Sequence, residues 1–176
     1  MPESAAPRGE VAALVAVQSA LADRLGVLTT ARALSHFGEH SVGWLVVAMV
    51  GAFVAPARRR EWLVAGAGTF VAHAAAVLIK RVVRRKRPHH PAVAVNVGTP
   101  SQLSFPSAHA TSTTAAALLM GRAAGLPPGI GAAVLVPPMA LSRILLGVHY
   151  PSDVVFGVAL GATVARLALW LDRKSR

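Results

Sequence analysis

The chain has 176 residues, of which 54% are hydrophobic, yet its formal net charge at pH 7 is +11. Only 14% of the residues are charged, against about 25% in an ordinary soluble domain. A disordered basic tail would be poor in apolar residues, and a soluble nucleic-acid-binding domain would alternate apolar with polar residues, so both classes are excluded. The composition predicts a small integral membrane protein with a single domain, residues 1–176, and no nucleic-acid partner.

The N-terminal region divides into a short segment, residues 1–9, that we expect to be flexible, and a helical segment, Glu10 to Leu34. Apolar residues recur along the helical segment at steps of three and four, and polar residues interrupt its other faces. The apolar set comprises Leu14, Val17, Leu21, Leu25 and Leu28. This pattern is typical of an amphipathic helix at the membrane interface; the alternative is a sixth, weakly apolar membrane span.

Five apolar runs follow, four of them close to the roughly 20 residues that cross a 30 Å hydrocarbon slab and the third one shorter. They are Ser41 to Ala57, Trp62 to Ile79, Ser107 to Gly121, Ala123 to Ser142 and Val154 to Leu171. Pro137 and Pro138 should kink or break the fourth run. Gly157 and Gly161 form a GxxxG pattern, which indicates close helix packing within the chain or between subunits of a homo-oligomer. We therefore predict an all-α integral membrane bundle of five to six helices; a soluble protein with buried alanine-rich helices is the alternative.

Polar residues gather at the ends of these runs, around residues 80–88, 106–109 and 142–153. If each run crosses the membrane once, all three clusters fall on the same face. The one long loop, Pro88 to Pro106, joins two of them, and loops of this length are usually functional or disordered. The topology alone therefore predicts that the clusters meet.

The first cluster places Lys80 and Arg87 two helical turns apart, so that both project to one side before Pro88 ends the helix. Taken alone, an ordinary juxtamembrane basic stretch is the more frequent explanation, because four other cations stand between them. His73 stands seven residues before Lys80 on the same helix face and could line the bundle interior. Histidines in such positions more often pack and hydrogen-bond without further function.

In the second cluster, Ser107 follows Pro106 and is the expected N-cap of a helix. The free amides of Ala108 and His109, aided by the helix dipole, would form an anion site. A purely structural cap beside a structural histidine is an equally good explanation of this cluster taken alone.

In the third cluster, Ser142 and Arg143 end one run, and His149 precedes Pro151, which suits the first position of the next helix. Asp153 falls in the first turn of that helix, close enough to accept a hydrogen bond from His149. Such a carboxylate would fix the tautomer and leave the other ring nitrogen free as a nucleophile. The competing explanation is a helix-capping aspartate beside an interfacial histidine.

Together the clusters supply three cations, a helix N-terminus, a serine hydroxyl and two histidines, a set that suits phosphoryl transfer. Only seven Asp and Glu residues are present, most of them isolated. We therefore expect no Mg²⁺ site, no cofactor and a metal-free mechanism.

These motifs resemble those of the type 2 phosphatidic acid phosphatase (PAP2) superfamily of membrane lipid phosphatases, which read K-x6-R-P, P-S-G-H and S-R-x5-H-x3-D. Lys80 to Pro88 and Ser142 to Asp153 keep the full spacing, and Pro106 to His109 departs only where Ala108 replaces glycine. An alanine with negative φ still offers its backbone amide, although the pocket around it could be tighter or shifted.

The resemblance implies a helical bundle and a two-step hydrolysis of a phosphomonoester. His149 would attack phosphorus to form a phosphohistidine, Asp153 would orient it, and His109 would protonate the leaving alkoxide and then activate water. The phosphate oxygens would be held by Lys80, Arg87, Ser107, Ala108 and Arg143. Ser142 would support the site without touching the substrate.

A site at the ends of membrane spans predicts an amphiphilic substrate. Within the family, the likeness favours a polyprenyl-linked phosphate, decaprenylphosphoryl-5-phosphoribose, on the route to cell-wall arabinan. The rival substrates are polyprenyl diphosphates and phosphatidylglycerophosphate, and a non-catalytic lipid-phosphate binder or transporter is the alternative of another class. Basic residues are nearly balanced between the two faces, so charge does not orient the bundle. A phosphoribosyl lipid made in the cytoplasm favours a site on the cytoplasmic side of the bacterial plasma membrane.

Overall fold

A computed structural model describes residues 6–175 of the chain. Within these residues the chain forms seven α-helices, two short 3-10 turns and no β-strand. The helices are α1 (Gly9–Leu21), α2 (Val27–Gly38), α3 (Val42–Val54), α4 (Arg59–Val83), α5 (Ala108–Ala123), α6 (Ile130–Leu145) and α7 (Pro151–Lys174). This architecture confirms the predicted all-α bundle. Of the segment predicted to be flexible, residues 1–5 lie outside the described part of the chain.

The segment predicted as one amphipathic helix, Glu10 to Leu34, folds as two helices. The chain leaves α1 after Leu21 and enters α2 after Gly26, whose φ of 79° is a left-handed conformation that glycine adopts readily. Leu25, which completes the apolar periodicity, lies in this break and is fully exposed. Both helices pack against α6. The location of α1 at the membrane interface stays a prediction.

Three segments are long and apolar enough to cross a membrane: Val27–Val54, Pro56–Val83 and Pro151–Lys174. The first contains α2, the 3-10 turn Glu39–Ser41 and α3, so it begins earlier than the predicted run. Large apolar side chains of these segments point outward, where lipid can cover them. They include Phe53, Val54, Phe70, Val71, Val155 and Phe156. These segments support the predicted integral membrane protein.

The other two predicted spans fold as helices of 16 residues each, α5 and α6. α5 ends at Ala123 and a turn precedes Ile130, so the predicted run Ala123 to Ser142 includes this turn. The prolines expected to kink or break the run, Pro137 and Pro138, lie inside α6, which continues through both positions. They therefore do not end the helix.

α5 is the centre of the bundle and contacts α4, α6 and α7. Every residue from Thr111 to Ala117 is buried, so no face of this part of the helix reaches lipid. Its threonine hydroxyls have partners: Thr113 accepts from Trp44 Nε1 at 3.1 Å, and the other two donate to backbone carbonyls one turn earlier. Thr111 donates to Ser107 at 2.9 Å, and Thr114 donates to Ala110 at 2.8 Å.

The GxxxG residues of α7 face α5. A Cβ atom placed on Gly161 would collide with the carbonyl oxygen of Thr111, and one placed on Gly157 would lie 2.7 Å from the carbonyl oxygen of Ser107. Only glycine lets the two backbones approach this closely. The pattern therefore serves helix packing within the chain.

We expect Gly161→Leu to lower the midpoint of thermal unfolding in detergent, because the added side chain would push α7 away from α5. Overpacking of this kind costs about 1–3 kcal/mol. Ala159→Leu is the matched control, since Ala159 lies on the exposed face of the same helix and its variant should unfold at the original temperature. Equal midpoints for the two variants would contradict the packing.

Candidate active site

The three polar clusters meet around one cavity of about 670 Å³ at a single end of the bundle. Its lining includes Lys80 from α4, Arg87 from the following loop, Ala108 and His109 from the start of α5, Arg143 from the end of α6, and His149. We refer to Lys80, Arg87 and Arg143 as the cation cradle. The predicted convergence of the motifs therefore exists in three dimensions.

Two members of the cation cradle also order the long loop. Lys80 Nζ donates to the carbonyl oxygens of Leu103 and Ser104, each at 3.0 Å. Arg87 Nε donates to the carbonyl oxygen of Ser101 at 2.8 Å. These carbonyl groups accept hydrogen bonds from the cations but carry no formal negative charge, so the site stays positively charged. The loop is thus fixed over the site by the same groups that would hold a phosphate.

The third member, Arg143, is only 2% exposed. Its Nε donates to the hydroxyl oxygen of Ser142 at 3.1 Å, and that hydroxyl donates in turn to the carbonyl oxygen of Met139 at 2.6 Å. Arg143 Nη2 is buried and has no hydrogen-bond partner in the protein. Ser142 therefore orients the guanidinium, and a donor remains that an anion in the cavity can satisfy.

The imidazole of His149 stands between a guanidinium and a carboxylate. Arg87 Nη1 lies 3.3 Å from His149 Nε2, and because a guanidinium can only donate, this contact is a hydrogen bond in the tautomer that carries the lone pair on Nε2. The proton is then on Nδ1, which faces Asp153 Oδ2 at 3.6 Å. That separation is just longer than a hydrogen bond, and such catalytic contacts commonly tighten when substrate binds. In this tautomer Nε2 is the nitrogen available for the predicted nucleophilic attack.

His149 lies in the short connection between α6 and α7, outside the membrane-spanning helices. Burial, together with the positive charges of Arg87, Lys80 and Arg143, holds the pKa of its imidazole well below the ordinary value. The ring is consequently neutral at physiological pH, which is the form that can attack phosphorus. Burial also lowers the pKa of Arg87, to about 10, and this guanidinium stays charged.

The second predicted histidine, His109, lies in the first turn of α5. Its Nε2 lies 3.0 Å from the carbonyl oxygen of Ser35, which can only accept, so Nε2 carries a proton. Gly38 packs against the ring so closely that a Cβ atom there would lie 2.7 Å from His109 Cδ2. α2 therefore fixes the orientation of this histidine.

Ser107 and Ala108 occupy the helix start that the sequence predicts. Ser107 is fully buried, and its hydroxyl accepts from the amide of Ala110 at 3.4 Å as the N-cap of α5. It is absent from the cavity lining, so its contact with phosphate stays a prediction. Ala108 does line the cavity, where the positive end of the α5 dipole adds to the cation cradle.

Two residues that the sequence analysis did not single out, Arg85 and Glu10, hold Asp153 in place. Arg85 Nη1 donates to Asp153 Oδ1 at 2.9 Å, and its Nη2 donates to Glu10 Oε2 at 2.7 Å. The guanidinium also lies over the Tyr150 ring, 4.0 Å from the ring centroid. The amide of Ser152 donates to the other oxygen of Glu10 at 2.8 Å. The carboxylate that faces His149 is thereby tied to α1.

We expect Arg85→Met to lower the turnover rate of the enzyme at least tenfold with a much smaller change in KM, because Asp153 would lose the charged partner that fixes it. The measurement is phosphate release at a series of substrate concentrations. Arg84→Met is the matched control: Arg84 is exposed, and its substitution removes the same charge one residue away. Equal losses in both variants would show that Arg85 acts only through net charge.

Comparison with known proteins agrees with this geometry. The profile of the PAP2 superfamily matches residues 61–176. Two proteins named decaprenylphosphoryl-5-phosphoribose phosphatase are similar along most of the chain. The one from Mycobacterium tuberculosis strain H37Rv is 78% identical over 162 residues, which cover 92% of this chain and 90% of the relative. The one from Mycolicibacterium smegmatis is 71% identical over 154 residues, with coverages of 88% and 84%.

A solved structure has the same architecture. The crystal structure of a transmembrane PAP2-type phosphatidylglycerolphosphate phosphatase from Bacillus subtilis matches with a TM-score of 0.73 at 22% sequence identity. The match covers 94% of this chain and 87% of that one, and at this identity it supports the fold. The family profile, the close relatives and the convergence of the three motifs lead to one conclusion: this chain belongs to the PAP2 superfamily of membrane phosphatases.

Proposed function

We propose that this PAP2 phosphatase removes the 5-phosphate of decaprenylphosphoryl-5-phosphoribose and leaves decaprenylphosphoryl-ribose in the membrane. The observation that carries the proposal is the 78% identity, over nearly the whole of both chains, to the mycobacterial enzyme of that name. Its product would be a precursor for cell-wall arabinan.

The cavity supports a substrate that is polar at one end and apolar at the other. Phe70 and Leu78 of α4 line the same cavity as the cation cradle and are 57% and 61% exposed. Because α4 belongs to a membrane-spanning segment, these side chains face lipid. A polyprenyl chain can therefore stay in the bilayer while its phosphate reaches the cations.

The proposed reaction has two steps, with the residue roles that the resemblance to the PAP2 motifs implies. In the first step a bond forms between His149 Nε2 and phosphorus and the ester P–O bond breaks. The departing ribose oxygen takes a proton from Nδ1 of His109, which enters this step as the imidazolium with its Nε2 proton held by Ser35. In the second step water attacks phosphorus, His109 takes its proton, and phosphate leaves as the N–P bond breaks. The cation cradle stabilises the charge on the phosphate oxygens in both steps.

No group of three or more His, Asp or Glu side chains that could hold a metal ion occurs within residues 6–175. In the proposed mechanism the charge is stabilised by Lys80, Arg87 and Arg143, which line the cavity. A neutral His149 held between Arg87 and Asp153 also favours catalysis over simple binding, since a binding protein needs no oriented nucleophile.

The first test is phosphate release by the purified protein in detergent, with EDTA present, from decaprenylphosphoryl-5-phosphoribose, a polyprenyl diphosphate and phosphatidylglycerophosphate. We expect the highest kcat/KM for the phosphoribosyl lipid and a loss of at least 10³-fold in His149→Ala, since removal of a covalent nucleophile abolishes its pathway. His89→Ala is the control, because His89 is exposed and outside the cavity lining. Full activity of His149→Ala, or a requirement for added Mg²⁺, would refute the mechanism, and a preference for another lipid would refute the substrate.

We also propose that the site opens on the cytoplasmic side of the plasma membrane, where a phosphoribosyl group would be attached to the lipid. The chain has no cysteine, so single cysteines can report the orientation. Ala92, in the loop on the site side, and Ala124, in the turn between α5 and α6, are both exposed. An impermeant thiol reagent added to intact cells should label Ala124→Cys and leave Ala92→Cys unlabelled. The reverse pattern would place the site outside.

A further inference from the structure

The active-site cavity extends beyond the cation cradle to a second set of polar side chains. Glu39 and His40 of the 3-10 turn between α2 and α3, and His73 of α4, line the same cavity. We refer to these three residues as the histidine wall. Cavities of roughly 300–1,000 Å³ hold whole small molecules, so a volume of about 670 Å³ exceeds what one phosphate group needs. The histidine wall has no part in the mechanism described above.

The distance between the two sets of residues suits one sugar ring. His73 and Lys80 are seven residues apart on α4, which puts them on the same face and about 10 Å apart along the helix axis. His40 and His73 approach each other across the cavity with ring centroids 6.1 Å apart. A substrate whose phosphate contacts Lys80 would therefore have its next group at the histidine wall.

The backbone around His40 is held in an unusual conformation. His40 and Ser41 have φ values of 48° and 63°, so two consecutive residues with side chains occupy the left-handed region. Such conformations are costly and tend to persist where they serve a site. Here the turn brings His40 to the cavity opposite His73.

The chemistry of the histidine wall favours hydroxyl groups. His73 Nδ1 is buried and has no hydrogen-bond partner in the protein, so a bound group can satisfy it. An imidazole can donate or accept, and the Glu39 carboxylate can accept, as sugar hydroxyls require. The three residues include no Lys or Arg, and the carboxylate would repel a second phosphate bonded directly to the first, as in a diphosphate.

We propose that the histidine wall is the subsite that binds the hydroxyl groups of the sugar next to the scissile phosphate, with His73 as the main specificity residue. This inference rests on the proposed function, because it presumes a phosphorylated sugar as the head group. The wall selects a polyol head group over a lipid phosphate whose neighbouring carbons carry no hydroxyl. The cation cradle binds the phosphate of either kind.

The test compares two ligands on the full-length protein in detergent. One is decaprenylphosphoryl-5-phosphoribose as substrate, with formation of the dephosphorylated lipid followed by mass spectrometry. The other is inorganic phosphate as a competitive inhibitor, which occupies the cation cradle alone. We expect His73→Phe to raise KM for the lipid about tenfold, since one hydrogen bond of typical strength is worth roughly that factor. The inhibition constant of phosphate should change less than twofold, and kcat should change little.

Two further variants and one control make the result decisive. His73→Asn keeps a polar atom near the position of Nδ1 and should recover most of the lost affinity, while His40→Phe should act like His73→Phe. His89→Phe, outside the cavity, should leave both constants unchanged. Equal weakening of lipid and phosphate in His73→Phe and His40→Phe, or no change in KM in either, would overturn the inference. Absence of hydrolysis by the unsubstituted protein would overturn the proposed function and this inference with it.

Discussion

Three like charges are enclosed in one small cavity, and most features of the site follow from how the protein tolerates them. Lys80 and Arg143 are buried, so the three cations repel one another more strongly than they would in water. Backbone carbonyls and one serine hydroxyl hold them in place, which opposes the repulsion without neutralising the charge. Asp153 is paired with Arg85 instead. The cavity consequently keeps a net positive charge that a phosphate dianion can neutralise.

The same charges determine the protonation state of His149, the proposed nucleophile. A histidine among three cations is kept neutral, and in the tautomer with the lone pair on Nε2 that nitrogen accepts from Arg87. A carboxylate in direct contact with the cation cradle would have weakened both the influence that keeps His149 neutral and the attraction for phosphate. The protein instead places Asp153 behind the imidazole and anchors it from the far side through Arg85. Attraction for the substrate and reactivity of the histidine thus have one electrostatic origin.

Much of this could be predicted from the sequence, because topology and spacing are enough to bring helix ends together. The apolar runs put residues 80–88, 106–109 and 142–153 on one face, and Asp153 four residues after His149 had to lie near it. The break at Gly26 could not be predicted, since Leu25 and Leu28 continue the apolar period across it. The role of Arg85 could not be predicted either. It is one of four cations between Lys80 and Arg87, and the direction of its side chain depends on the end of α4 at Val83. Contacts with Glu10 and Ser35 are long-range and leave no local pattern.

Residues of the N-terminal helices contribute to the site, although they lie outside the region that the family profile matches. The PAP2 profile begins at residue 61, yet Glu10 holds Arg85, and the carbonyl of Ser35 holds His109. Gln18 fixes the long loop through Ala94. Every motif residue lies inside the matched region, but the groups that aim them lie partly before it. A chain trimmed to residues 61–176 would keep every motif residue and lose part of the scaffold that aligns the proposed catalytic groups.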